Sequence, residues 1–434
     1  MTAVKVIGGG LAGSEAAWQL AKRGLAVELW EMRPEKLTPA HRSGYLAELV
    51  CSNSLRSRAL STAVGLLKEE MRRLDSLIMR CADATQIPAG EALAVDREAF
   101  AAQVTAFLTS LPQVKLVRDE MRDIPPGPAI IATGPLTSEA LAAAIAAFCG
   151  EEHLYFYDAV APIVSADSLN YDRLFRASRY GKGEDAYLNA PLSEEEYLAF
   201  YRALRAADVY SGHAFEEAAY FEGCLPIEEM AARGPQTLLF GPMKPVGLVD
   251  PRTGKQPYAV VQLRPENREA TMYNLVGFQT RLRRPDQERV FRLIPGLERA
   301  EFLRYGMIHR NTYLNAPRVL LPTFQTRRDP LLFFAGQITG VEGYVESAAS
   351  GLVAGINLGR ILSGREPVVF PPETCLGGLS RYLASPTQPF QPMNVNFGLL
   401  PPLTKRTQAR RKRREALAAR ALEVLTAFIE NESL

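Results

Sequence analysis

The stretch from Val4 to Glu31, VKVIGGGLAGSEAAWQLAKRGLAVELWE, constrains the fold more than any other part of the 434 residues. Val4, Val6 and Ile7 form a short apolar run with the pattern of a buried strand, and Gly8, Gly10 and Gly13 follow as G-x-G-x-x-G. Leu11 to Arg23 has helical spacing and is stopped by Gly24, with Ala12, Ala16, Ala17, Trp18, Leu20 and Ala21 on the buried face. Val27 and Leu29 then alternate into a second strand that ends at Glu31. The three glycines do different things. Gly8 permits the tight turn, Gly10 lets backbone approach a pyrophosphate, and Gly13 lets the helix pack close on the strand. The helix N-terminus offers unpaired N–H groups and the positive end of its dipole to phosphate. Glu31 stands where a carboxylate accepts from a ribose hydroxyl. With a strand before, a helix after and the acid at the right distance, Gly8, Gly9, Gly10, Leu11, Ala12, Gly13 and Glu31 are expected to hold the ADP half of a dinucleotide.

The length calls for two or three domains. A net charge of +2 leaves any affinity for an acidic partner to local patches. The five cysteines (Cys51, Cys81, Cys149, Cys224 and Cys375) are spread out with no CxxC pair, which argues against a zinc site or a disulfide framework and for a reducing compartment. Met1 to Lys5 runs straight into the first strand, and the chain has neither a signal-type stretch nor an 18-residue apolar segment. A cytoplasmic protein without a membrane contact is therefore expected.

Further along, Leu49-Val50 leads to Cys51, followed by Ser52, Asn53 and Ser54, all good helix caps. Thr62 to Arg80 reads as one long amphipathic helix, Asp96 to Leu111 as another, and Val114 to Arg118 as a short strand. PAIIATGP, residues 128–135, is an apolar strand ending near Gly134. Tyr155 to Leu192 mixes aromatics, prolines and charges as an inserted domain would. Ser193 to Ala207 is a helix with an acidic first turn, and Pro226 opens a helix to about Arg233. Leu238 to Leu263 alternates like strand around a turn-rich loop. Thr280 to Arg318 is rich in arginine with interleaved aromatics; a nucleic-acid surface and a solvated helical face are both open there. LLFFAGQITGVEGYVESAASG, residues 331–351, repeats the strand–glycine loop–helix plan around Gly336, Gln337 and Gly343. KRTQARRKRR, residues 405–414, holds seven basic residues and no acid, and marks Arg411, Lys412, Arg413 and Arg414 as a phosphate-binding edge at the head of an amphipathic helix. The expected fold is α/β: a Rossmann-like FAD-binding domain of the two-dinucleotide-binding type with an inserted α/β domain. Its division is 1–165 and 325–434 for the cofactor domain and 166–324 for the insertion.

GGGLAG with Glu31, LVCSNSLRS, YFEGCLPIEEMA and FFAGQITGVEGYVESAASG together resemble the folate- and FAD-dependent tRNA (uracil-5-)-methyltransferase family, TrmFO, from the first strand to about Pro401. The larger GidA, or MnmG, relatives that modify wobble uridine share this layout. They normally continue into a C-terminal helical domain that engages a GTPase, whereas this chain stops at Leu434 after one basic helix. The resemblance implies C5-methylation of a T-loop uridine of tRNA (position 54). The methylene group would come from methylenetetrahydrofolate by way of FAD, with NAD(P)H as electron donor and no obligate protein partner.

The resemblance also implies the site residues. Cys224 of FEGCLP is the nucleophile for uracil C6, seated just before a helix N-terminus that would favour thiolate. Cys51 of VCSNS is the second functional thiol, handling a proton near C5 or capping the resting nucleophile, and which of the two cysteines has which role is left open by the sequence. Among the cofactor-binding residues, Gly134 ends a strand that returns beside the first glycine turn, Gly336 and Gln337 lie near the flavin or its ribityl chain, and Gly343 keeps the last loop tight. Tyr344 either stacks on flavin or folate or packs. His309 and Arg310 of MIHRNTY either contact substrate or belong to the core. Cys81, Cys149 and Cys375 match no functional motif and are read as packing residues. Two alternatives stay open: a GidA-like wobble-uridine modifier, and a flavin- and RNA-binding protein without methyl transfer.

Overall fold

A computed structural model describes residues 3–150, 154–181, 186–210, 225–386, 390–403 and 409–434; for 154–160, 307–312 and 410 it describes the backbone only. The apolar runs of the sequence assemble into a five-stranded sheet in the order Leu332–Phe334, Ala129–Ile131, Val4–Ile7, Val27–Trp30, Val114–Val117. Every pairing in it is parallel, as between Val6 and Leu29 and between Val6 and Ile130. Parallel strands covered on both faces read as continuous apolar segments, which is why Ala129–Ile131 and Leu332–Phe334 are buried throughout. Strand order reverses at Val4–Ile7, so the carboxyl ends of this strand and its neighbour Ala129–Ile131 open a crevice between Gly8 and Gly134.

The helix Leu11–Ala21 is buried along its whole length. It packs against the helix Tyr344–Leu362, whose small residues allow the two backbones to approach. A Cβ at Gly351 would lie 2.1 Å from the Ala12 carbonyl oxygen, and one at Gly355 would lie 2.9 Å from that of Ala16. This contact joins the first glycine unit to the last across more than 300 residues of chain.

Between them lies a second core around a six-stranded antiparallel sheet. Its order is Phe175–Arg176, Leu188–Leu192, Ala259–Pro265, Met272–Leu275, Ile163–Ser165, Phe302–Arg304. The helix Glu194–Arg205 covers it, started by a capping box between Ser193 and Glu196. An antiparallel ribbon, Leu154–Val160 with Met307–Tyr313, carries the chain out of the cofactor domain and back. A small sheet of Ser54–Ser57, Ala92–Val95 and Gln86–Ile87 flanks the loop that carries Cys51. The α/β architecture with an insertion expected from sequence is therefore the one observed.

Two local expectations are corrected. Thr62–Arg80 is not one helix but two, Ala63–Arg73 and Leu77–Ala84. Asp75 adopts a left-handed conformation (φ 57°), and Ser76 caps the second helix by accepting from Met79 N–H. Leu238–Leu263 is not alternating strand: Thr237–Phe240 is a helical turn, and strand begins only at Ala259. Pro242, Pro245 and Pro251 supply no backbone donor for a ladder there. Replacing Gly351 by valine puts a side chain onto the Ala12 backbone, so a loss of about 3 kcal/mol or more in urea unfolding is expected; Ala354→Gly in the same helix is expected to cost about 1 kcal/mol.

Candidate cofactor cleft and thiol site

The crevice at the switch point is a cleft open to solvent on one side. Gly8, Gly10, Leu11, Ala12, Glu31, Gly134, Gly336, Gln337 and Tyr344 all line it. Gly8 has φ +100°, and a Cβ there would meet the Ala132 carbonyl oxygen at 2.6 Å. A Cβ on Gly13 would stand 1.8 Å from the Gly8 carbonyl oxygen, so the strand–helix turn closes only with glycine at both. Around Gly10 nothing lies within 4 Å of such a Cβ, which leaves a cradle at the N-cap of the Leu11–Ala21 helix. Gly9 and Gly343 do not line the cleft themselves but adjoin residues that do: Gly9 N–H donates to Glu31, and Gly343 is the N-cap of the Tyr344–Leu362 helix.

Glu31 is more engaged than its sequence position suggests. One carboxylate oxygen accepts from Gly9 N–H (2.8 Å) and Arg33 Nη2 (3.0 Å); the other accepts from Arg33 N–H and Nε, each at 3.0 Å. These four donors fill the acceptor sites of a carboxylate, so a ribose hydroxyl reaching it would share an oxygen. Burial pushes its pKa up, but the hydrogen bonds and charge of Arg33 outweigh this and hold it below the usual carboxylate range. His41 lines the same cleft and pairs with Thr38 Oγ1 through Nδ1 at 2.6 Å. Burial and then the Arg33 charge push its imidazole down to about 4, against the opposing pull of Glu48 and Glu31.

Cys51 does not line the cleft itself but lies next to Val50 and Tyr344, which do. The Tyr344 hydroxyl oxygen accepts from the N–H groups of Cys51 (2.7 Å) and Ser52 (3.2 Å), and its O–H donates to Cys51 Sγ at 2.9 Å. Burial, reinforced by the neighbouring Cys51, raises the Tyr344 pKa well above the ordinary tyrosine value, so Tyr344 stays a donor. Arg97 reaches the carbonyl of Leu49 and binds Glu266. Arg97 and Arg304 both lie within electrostatic reach of Cys51 and Tyr344. Gln337 Nε2 donates to Glu342 (2.7 Å), and Gly336 N–H to Ser350 Oγ (2.6 Å), fixing the last glycine loop against the cleft.

Other residues singled out by sequence fall elsewhere. Cys224 lies outside the described residues; the helix Ile227–Ala232 begins three residues later, with Glu228 holding Thr280 and the Arg281 N–H. His309 and Arg310 sit on the ribbon strand opposite Asp158 and Tyr157, where the backbone alone is described. Arg411, Lys412 and Arg413, exposed, and Arg414, half-buried, lie in the first turns of the helix Arg410–Glu432. Arg411 pairs with Glu415 at 2.8 Å, and Arg411 and Arg414 face Ser61 and Thr62 across a shallow hollow. Burial raises the thiol pKa of Cys81 to about 12 and that of Cys375 well above the ordinary value, as for inert packing residues. Sequence reasoning missed His41, Arg97 and Arg264, and saw Arg304 only as part of the arginine-rich stretch 280–318. For Arg264 a signal existed, a lone cation in the apolar run AVVQLRP.

A doubly wound sheet with a glycine-lined switch-point cleft, interrupted by an antiparallel insertion, defines a nucleotide-binding protein of the GidA architecture. The crystal structure of Aquifex aeolicus GidA (form II) superposes with a TM-score of 0.72 at 18% identity, covering 98% of this chain and 73% of that one. The family model described as glucose inhibited division protein A matches residues 3–366. A protein of Pelotomaculum thermopropionicum named methylenetetrahydrofolate--tRNA-(uracil-5-)-methyltransferase TrmFO is 63% identical over 429 residues, 98% of each chain. One of the same name from Moorella thermoacetica is 63% identical over 423 residues, 97% of each. The chain belongs to the GidA family and, within it, to the TrmFO methyltransferases.

The His41 imidazole should titrate near pH 4 in an NMR pH series, not near 6.5. Its folded pKa is below the unfolded one, so its contribution to stability is lost as the pH falls from about 6.5 to about 4. His41→Gln should flatten that part of the unfolding profile.

Proposed function

We propose that this chain catalyses C5-methylation of a T-loop uridine in tRNA, with methylenetetrahydrofolate as one-carbon donor, FAD as cofactor and NAD(P)H as electron donor. The observation that carries this reading is the Cys51 thiol, held by Tyr344, a residue that lines a dinucleotide-type cleft. High identity to the named methyltransferases over nearly the whole chain supports it.

The cleft suits FAD. The cradle at Gly10, the N-terminus of the Leu11–Ala21 helix and Gly134 would hold the pyrophosphate, with Gly336 and Gln337 toward the ribityl chain and Tyr344 beside the ring. Bound there, FAD would supply the redox and one-carbon relay between the nicotinamide, the folate and the uracil.

The thiols do what the chain itself must do. Uracil C5 is a weak nucleophile, and thiolate addition to C6 converts C5–C4–O4 into an enolate able to attack a one-carbon electrophile. We assign that addition to Cys224 and the removal of the C5 proton to Cys51. Loss of the proton reverses the addition, breaks the C6–S bond and returns the thiolate. Overall, the uracil C5–H, methylenetetrahydrofolate, a hydride from NAD(P)H and a proton yield 5-methyluracil, tetrahydrofolate and NAD(P)⁺. His309 and Arg310 on the ribbon, and Arg411, Lys412, Arg413 and Arg414 on the last helix, are assigned to tRNA contact. A tRNA substrate and reduced thiols fit the cytoplasm, and the reading requires no protein partner. Among the described residues, no helix is long and apolar enough to cross a membrane.

Purified protein should be yellow with a flavin spectrum. Incubated with undermodified tRNA, NAD(P)H and methylenetetrahydrofolate labelled in the methylene carbon, it should place label in 5-methyluridine; label absent there rejects the reading. Cys224→Ala and Cys51→Ala should each abolish turnover with FAD retained. The adduct to C6 should disappear only in the variant lacking the nucleophile, which separates the two roles. Changing Arg411, Lys412, Arg413 and Arg414 to glutamine should weaken tRNA binding uniformly and lower its salt slope, whereas an unchanged slope removes the last helix from the interface.

A further inference from the structure

The loop that carries Cys51 is gripped from two domains. From the cofactor domain, Tyr344 takes the N–H groups of Cys51 and Ser52 and donates to Sγ. From the inserted domain the grip comes from the end of the strand Ala259–Pro265. Arg264 is buried, at 6% exposure, in the middle of the six-stranded sheet, paired through the backbone with Asn274. Its guanidinium leaves that sheet for the other domain: Nε donates to Asn53 Oδ1 at 2.8 Å, and Nη2 to Ser52 Oγ at 2.7 Å. The Asn53 amide closes the clasp by donating to the carbonyls of Pro265 and Val95, each at 3.0 Å. Arg97, the first residue of the cofactor-domain helix Arg97–Ser110, binds Glu266 and the Leu49 carbonyl, so both sides of Cys51 are tied to the same strand end.

A guanidinium removed from water is costly, and a sheet interior would pack more stably around an apolar side chain. The groups that accept from it, the Ser52 hydroxyl and the Asn53 amide, are neutral and do not offset its charge as a carboxylate would. What the planar fork supplies is two-point registration of the residues that immediately follow the thiol. We propose that Arg264 is a positioning residue for the transfer reaction. By holding Ser52 and Asn53 from the inserted domain, it sets the Cys51 thiol against Tyr344 beside the cleft. This rests on the reading that Cys51 works in methyl transfer.

The test uses the FAD-loaded full chain and the variants Arg264→Met, Arg264→Lys and Ser52→Ala. Two readouts are taken: kcat against KM for tRNA methylation, and the rate of Cys51 alkylation by iodoacetamide, followed by peptide mass spectrometry with Cys149 as internal reference. Arg264→Met should lower kcat on the order of 10- to 100-fold, the range for a displaced catalytic group, with KM for tRNA within about twofold. Arg264→Lys, a single ammonium that cannot serve both acceptors, should recover little of it. Adding Ser52→Ala to Arg264→Met should cost less than the same change in the wild type, because the two act through one contact. The Cys51 alkylation rate should change about threefold or more in Arg264→Met, with Cys149 unaltered. Wild-type kcat in Arg264→Lys, or independent effects of the Arg264 and Ser52 changes, overturns the proposal; so does a KM effect with kcat intact, which would make Arg264 an RNA contact. If Arg264→Met fails to fold, Arg264→Lys carries both readouts. If the wild-type protein transfers no methyl group, the reaction assignment fails, while the alkylation comparison still decides whether Arg264 positions the thiol.

Discussion

The close contact between the helices Leu11–Ala21 and Tyr344–Leu362 is the constraint on which the rest of the structure depends. It is possible only because Gly351 and Gly355 present no side chain to the Ala12 and Ala16 backbone. Through it, the N-terminal ends of two helices far apart in sequence meet the same cleft, one at the Gly10 cradle and one at Tyr344. A dinucleotide needs both ends held along its length, and one βαβ unit supplies only the first. The chain therefore has to return after the insertion and pack its returning helix on its first.

Tyr344 stands at the first residue of that returning helix, so helix packing also sets its hydroxyl. That hydroxyl accepts from two backbone N–H groups and donates to one sulfur, which makes the Cys51 loop an extension of the cofactor domain. The insertion holds the same loop from the other side through Arg264, which binds Asn53, through the Pro265 carbonyl, which accepts from Asn53, and through Glu266, which binds Arg97. The thiol thus sits at a junction where small relative movements of two cores change its position. The buried ion pair of Arg33 with Glu31 does comparable work at the opposite end of the cleft, linking the second strand to the Gly9 turn.

Much of the fold was legible in the chain because each signal was local. Strand, glycine turn and helix follow one another within 28 residues at the start, and the same order recurs around Gly336. The Asp96 and Ser193 caps lie within three residues of the N–H groups they satisfy. The misreadings had local causes too: a hydrophobic period runs on through Asp75–Ser76, where one left-handed residue breaks the helix, and alternation continues through a proline-rich loop that forms no ladder there. The resemblance to a family rested on short motifs, one of which, around Cys224, lies outside the described residues.

By itself, the sequence determined the glycine-lined turn, the parallel strands around it and the two motifs that carry thiols, because these depend on steric and hydrogen-bonding rules among near neighbours. Only the tertiary structure decided that Glu31 is saturated by Arg33 and Gly9, that Tyr344 bonds Cys51, and that Arg264 crosses between domains to Ser52 and Asn53. Those contacts join residues up to 293 positions apart, where direction and distance follow from how the cores pack, a property that no spacing along the chain encodes.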